Sequence, residues 1–100
     1  MQEFRTLELA IQLHGEIEKL SLPSYLKNQV LRSSSSVALN LAEGRGKNTT
    51  RDQLRFFHIA MGSIQETKVA LRLAGKKGEK VYDLADKVAA YLYKMIKNAR

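Results

Sequence analysis

Glu43, Glu66, His14, His58 and Ser63 are the side chains of this 100-residue chain best suited by type to do chemistry, and their spacing argues against it. Paired carboxylates act as acid and base only when less than ~10 Å apart. If two helices meet at a short connection over Gly44 to Asn48, Glu43 lies level with about residue 51. Glu66 is then about 15 residues further along, or ~22 Å at the helical rise. Bundle di-iron sites use Glu-x-x-His on facing helices, and neither histidine has glutamate three positions before it. No His-Glu-x-x-His or Gly-x-x-x-x-Gly-Lys-Ser/Thr stretch occurs. Ser63 has no adjacent histidine and aspartate constellation that sequence would reveal. The absence of cysteine excludes disulfides and thiolate metal sites. The expectation is a protein with no catalytic site, no metal and no cofactor. An enzyme whose site is shared between subunits is the alternative.

Charge is the other chemical resource. The formal net charge is +7 and the pI about 9.9. The first twenty residues set Arg5 and Lys19 against Glu3, Glu8, Glu16 and Glu18, a sum of −2, so the remainder carries +9. In an up-and-down arrangement the connection after Gly44 shares one end with both termini. That end gathers Arg45, Lys47, Arg51, Arg55, Lys94, Lys97 and Arg100 as candidate nucleic-acid contacts, while Lys76, Lys77 and Lys80 mark the opposite end with Lys19. Such a cluster could grip phosphates, with Tyr91 and Tyr93 as stacking surfaces or as packing residues. No base-reading signature is present, so any binding to RNA or DNA is expected to be backbone-driven and salt-dependent. A merely solvated basic surface is the competing reading.

The elements that must position these residues are helices. From about Gln2 to Leu20, Phe4, Leu7, Ala10, Ile11, Ile17 and Leu20 recur at spacings of three and four, with Leu9 and Leu13 widening the stripe. Pro23 suits the first turn of a second helix, which runs to about Glu43 with Leu26, Val30, Val37 and Leu41 in line. Ser33 to Ser36 has linker composition but keeps the helical period. Gly44 stands where a left-handed residue usually ends a helix. Thr49 with Asp52 resembles a capping box opening a third helix to about Ala74, carrying Leu54, Phe57, Ala60, Met61, Ile64 and Leu71. After Gly75 to Gly78, a fourth helix from about Glu79 to Asn98 shows Val81, Leu84, Ala85, Val88, Leu92, Met95 and Ile96. Short connections force antiparallel neighbours, so the fold class is an all-α, up-and-down four-helix bundle in one domain, residues 1–100.

Several residues exceed what a lone bundle needs. A second apolar line of Ile59, Val69, Ala70 and Leu73 lies on the far side of the third helix, with Leu31, Ala38 and Ala42 beside the second helix's stripe. A helix apolar nearly all round is buried nearly all round. A homo-oligomer is therefore expected, with Leu31, Ala38, Ile59, Val69, Ala70 and Leu73 as candidate interface residues; imperfect patterning in a small protein is the alternative. The hairpin register sets residue 36 level with about 58, so the serines face Ala60 to Ser63, and Gly62 would let the backbones approach. A solvated serine face with an incidental glycine is the other possibility. Asn40 should bond a nearby backbone group. Glu43 should be offset by Arg45, Arg51 or Arg55, and Glu66 should be part-buried against Asn28 or Gln29. No apolar run approaches the ~20 residues a membrane span needs, and the N-terminus lacks the basic start and apolar stretch of a signal peptide. Cytoplasmic location without membrane contact is the expectation.

Ser36-Val37-Ala38-Leu39-Asn40-Leu41-Ala42-Glu43-Gly44, followed by Phe56-Phe57-His58-Ile59-Ala60-Met61-Gly62-Ser63-Ile64-Gln65-Glu66, carries a family resemblance. The chain resembles the bacterial four-helix-bundle family first named for reading frames within intervening sequences of 23S ribosomal RNA genes, over nearly its whole length. The Asn-x-Ala-Glu-Gly and Ala-x-Gly-Ser-x-x-Glu elements carry the match. It implies a homopentameric, barrel-like ring. It also implies kinship with the accessory variability protein of diversity-generating retroelements, which binds nucleic acid and a reverse transcriptase through a basic surface. The ribosomal label records genomic location and does not make the chain a ribosomal subunit. By position, Asn40, Glu43, Gly44, Gly62, Ser63 and Glu66 match the family pattern as fold and assembly residues. Met61 stands where family members often have arginine, and proline is frequent near Ala38; losing the arginine weakens the case for phosphate binding on that surface.

Overall fold

Four helices account for most of the chain in a computed structural model that describes residues 2–99: α1 Gln2–Glu18, α2 Ser24–Arg45, α3 Thr50–Leu73 and α4 Lys80–Asn98. No strand occurs among the described residues. α1 packs on α2, α2 on α3 and α3 on α4, and α4 closes against α1, while the diagonal pairs do not touch. Pairs such as Ser36 with Ser63 and Ser33 with Thr67 run in opposite order along α2 and α3, as the short connection requires. The bundle measures 40 × 21 × 18 Å.

The helix ends follow local chemistry. Pro23 caps α2 rather than entering its first turn, its carbonyl accepting from the Leu26 and Lys27 amides. Lys27 Nζ donates to the carbonyls of Glu18 and Leu20, satisfying groups that the end of α1 leaves open. Thr49 Oγ1 accepts from the Asp52 amide at 3.2 Å, one arm of the expected box. α3 ends in a left-handed glycine, Gly75 at φ 76°, with Lys76 N–H donating to the Leu71 carbonyl and Gly75 N–H to that of Arg72. Gly44 departs from expectation. It lies inside α2, which continues to Arg45 and is capped by Gly46 at φ −82°.

One core runs the length of the bundle. Leu13, Ile17, Val30, Val37, Leu41, Phe57, Ile64, Leu71, Val88 and Leu92 are fully buried within it. Burying one such side chain contributes about 1.5–3 kcal/mol. On α1 the inward line is Thr6, Ala10, Leu13 and Ile17, and Phe4 and Ile11, expected on the core stripe, are about half exposed. The α1 stripe is wide enough to face the core in two ways. Leu13, not Ile11, points inward because it shares its line with Ala10 and Ile17.

The serine run is helical throughout, with Ser33 and Ser34 buried. Its register against α3 is later than the level-hairpin estimate: Ser36 meets Ser63 instead of a residue near 58. Side chains lean toward their own helix N-terminus, hence away from the connection on α2 and toward it on α3. That lean moves each partner further along α3 and explains part of the offset.

Candidate nucleic-acid interface

Two constructions account for the residues singled out by type. The first is a polar seam between α2 and α3. Ser33 Oγ and Thr67 Oγ1 share a hydrogen bond of 2.8 Å, as do Ser36 Oγ and Ser63 Oγ. Thr67 Oγ1 also lies 2.8 Å from the Ser63 carbonyl and Ser33 Oγ 3.3 Å from that of Val30, so both hydroxyls reach helix carbonyls as well. Asn40 Nδ2 donates to the Ser36 carbonyl at 2.9 Å, the backbone bond expected of it, and to Ser36 Oγ at 3.1 Å. Gln29 Nε2 donates to Glu66 Oε2; Glu66 has its expected partner but is exposed, because it sits on the outer side of α3. Small hydroxyls on both helices permit close approach while satisfying one another.

Glycine carries that approach at one place and not the other. A Cβ on Gly44 would lie 2.6 Å from Phe57 Cε1, with Phe57 itself buried. A Cβ on Gly62 would meet nothing within 4 Å, and Gly62 is exposed. Gly62 is therefore not the residue that brings α2 and α3 together. The register offset turns Ser63 toward α2 and leaves its neighbour outside.

The second construction is the basic end. Phe4 at the start of α1 lies under the Arg45 guanidinium, 5.4 Å from ring centre, which joins that end to the end of α2. Phe56 in α3 sits beneath Lys47 at 5.1 Å and Arg55 at 5.3 Å. Lys47 Nζ also lies 3.1 Å from Glu43 Oε2, so the cation offsetting Glu43 is Lys47 and none of the three arginines. Among the described residues, Arg45, Arg51, Arg55, Lys94 and Lys97 have no carboxylate at ion-pair distance. Arg51 and Arg55, with Thr50, Asp52, Leu54 and His58, line an open depression of about 710 Å³ on the first turns of α3. Arg100 lies outside the described residues.

A family model described as 23S rRNA-intervening sequence protein matches residues 2–98. The chain belongs to that family. Its fold is similar to the crystal structure of a protein of unknown function from the S23 ribosomal protein family of Bacteroides thetaiotaomicron. The two align with a TM-score of 0.84 at 18% identity, over 98% of this chain and 100% of the other. At that identity the likeness speaks for the fold alone. No curated protein matches.

The family motif residues thus fall into separate roles in this member. Asn40 and Ser63 belong to the seam, Gly44 to the close contact with Phe57, and Glu43 and Glu66 to surface pairs. His14 Nδ1 shares a 2.8 Å hydrogen bond with Ser34 Oγ, and His58 lies in the α3 depression, on a different helix. Among the described residues no three His, Asp or Glu side chains converge, and no helix is long and apolar enough to cross a membrane.

The interface candidates divide by burial. Ile59, Val69 and Leu73 are exposed, but Ala70 is 4% exposed and belongs to the chain's own core. Leu31 and Ala38 are half-buried against that core. Ala70 turns inward because α2 packs closely on that flank of α3, a consequence of the seam. Sequence reasoning missed Leu39, which is 68% exposed, and the outward direction of Ile11. The signal for Leu39 was its place two residues beyond Val37, nearly opposite it on a helical wheel.

Proposed function

We propose that this member of the family is a non-enzymatic, homo-oligomeric binding module whose basic end holds the backbone of RNA or DNA, alone or within a nucleoprotein that contains a reverse transcriptase. The observation that carries this reading is the set of unpaired cations, Arg45, Arg51, Arg55, Lys94 and Lys97, gathered where α1 and α3 begin and α2 and α4 end. Charges without internal partners are free to release counterions from phosphates. The ring of five copies implied by the family resemblance would repeat that field around an axis. Exposed Ile59, Val69 and Leu73 support self-association, since they stand on one outward side of α3 that a second copy could cover.

Mobility shifts of single- and double-stranded RNA and DNA at low and moderate salt test the reading. Binding that weakens with salt on a log–log line, with little dependence on sequence, is expected. A folded protein that shifts no nucleic acid at low salt sinks it. The second reading, a protein scaffold whose charge serves solubility, is favoured by the exposed apolar residues. It predicts partners that survive nuclease treatment. Hydrolase and nuclease assays with added divalent metals are expected to be blank.

A further inference from the structure

The cations of this bundle are held in two different ways. Toward the end where α1 and α3 finish, Lys19 Nζ lies 3.6 Å from Glu16 Oε2 and Lys76 Nζ 3.5 Å from Glu79 Oε2, so each has a carboxylate beside it. Lys27 at that end donates to two helix carbonyls. At the basic end, aromatic rings hold the cations instead. Arg45 stands over Phe4, Lys47 and Arg55 over Phe56, and Arg5 over Tyr91 at 6.0 Å. A ring fixes the position of a cation without neutralising it. Of these four cations, only Lys47 also has a carboxylate at ion-pair distance among the described residues, that of Glu43.

These contacts run around the bundle in the order in which its helices touch. Tyr91 is on α4, Arg5 and Phe4 on α1, Arg45 in the last turn of α2, Lys47 in the connection and Phe56 on α3. Rings and cations therefore alternate across all four helices. Phe4 is 51% exposed and lies outside the buried core, while Phe56 and Tyr91 are half-buried. Binding to phosphates alone accounts for the cations and leaves the rings without a use. A duplex keeps its bases stacked on one another, whereas a single strand has base faces free to stack on aromatic side chains. A track of rings alternating with uncancelled charge matches a strand in which bases alternate with phosphates.

We propose that the basic end takes a single nucleic-acid strand, its unpaired bases stacking on Phe4 and Phe56 while the cations seated on those rings meet the flanking phosphates. Tyr91 with Arg5 extends the track onto α4. The stacking rests on the nucleic-acid reading above and narrows it, from any phosphate backbone to one whose bases are free. It needs no base to be distinguished from another, since every base has a face to stack.

Fluorescence anisotropy of the unmodified chain with three labelled probes of equal length tests this. The probes are oligothymidine, the same strand annealed to oligodeoxyadenosine, and a strand of abasic sites that keeps the phosphates but carries no bases. Oligothymidine should bind at least about tenfold more tightly than the abasic strand, the effect of losing two stacked bases, and more tightly than the duplex at the same salt. Equal affinity for oligothymidine and either of the other probes would overturn the stacking and leave backbone binding in place. If none of the three binds at low salt, the nucleic-acid reading fails and takes the stacking with it. Phe4→Leu then separates ring from charge. It should weaken oligothymidine binding about fivefold or more, with the abasic affinity and the log–log salt slope unchanged, and Phe4→Tyr should bind like the parent. Helicity by circular dichroism should be the parent's in both, because Phe4 is outside the core. A Phe4→Leu chain that binds oligothymidine as tightly as the parent would overturn the proposal.

Discussion

Glycines 44 and 62 are the same residue type in neighbouring helices, and the structure asks opposite things of them. Gly44 lies against the buried Phe57 ring, which a methyl group would have to displace. Gly44→Ala should destabilise the fold by about 1–3 kcal/mol, the range for overpacking a filled site, read by urea denaturation. Gly62→Ala should leave the single chain as stable or up to ~1 kcal/mol more so, because only helix propensity changes. Thr67→Val is a sharper probe of the seam. It removes the partner of Ser33 Oγ and the bond to the Ser63 carbonyl together. A loss of about 1–2 kcal/mol is expected, and Ser33→Ala added to it should cost less than it does alone, since the two hydroxyls act as a pair.

At the scale of elements, the α2–α3 pair is the most extensive helix contact in the bundle, and its closeness comes from hydroxyl-bearing and small residues. That pairing decides which side of α3 is outside. Ser36→Leu would wedge the helices apart. It should cost about 1–3 kcal/mol and lower the denaturation midpoint, with the helices themselves retained. The end of α3 is set separately by Gly75. Gly75→Ala forces an L side chain to φ 76° and should cost about 1–2 kcal/mol, with Gly75→Asn milder because asparagine tolerates the left-handed region. Thermal denaturation of the two variants side by side checks the order.

The whole molecule separates its charge by helix, α1 at a net −3 against α2, α3 and α4 at +2 each. α1 is acidic, and the end where α1 and α3 begin carries cations that no carboxylate among the described residues answers. If that end grips phosphates, the double variant Arg51→Glu, Arg55→Glu should weaken binding on every sequence tested. The log–log salt slope should also flatten by roughly 0.9 for each duplex phosphate no longer neutralised, as measured by fluorescence anisotropy. Binding that weakens on some sequences only would point to base recognition instead.

Helix number, connection sites and membership of the family were legible in the chain itself, because each rests on local signals. The period of apolar residues, Thr49 before Asp52, Gly75 and the two sequence elements around Asn40 and Gly62 need no partner to be read. The direction of a borderline side chain was not legible. Ile11 and Leu13, Ile59 and Ala70, Gly44 and Gly62 are each pairs that a helical wheel places within reach of either side. On α1, Leu13 turned inward with Ala10 and Ile17 against the packed core; for the other two pairs the choice lay in the register of α2 on α3, fixed by hydroxyls meeting across the pair at Ser36 and Ser63 and by Gly44 meeting Phe57. Periodicity constrains one helix at a time, whereas register is a property of two surfaces in contact, and only the packed chain contains it.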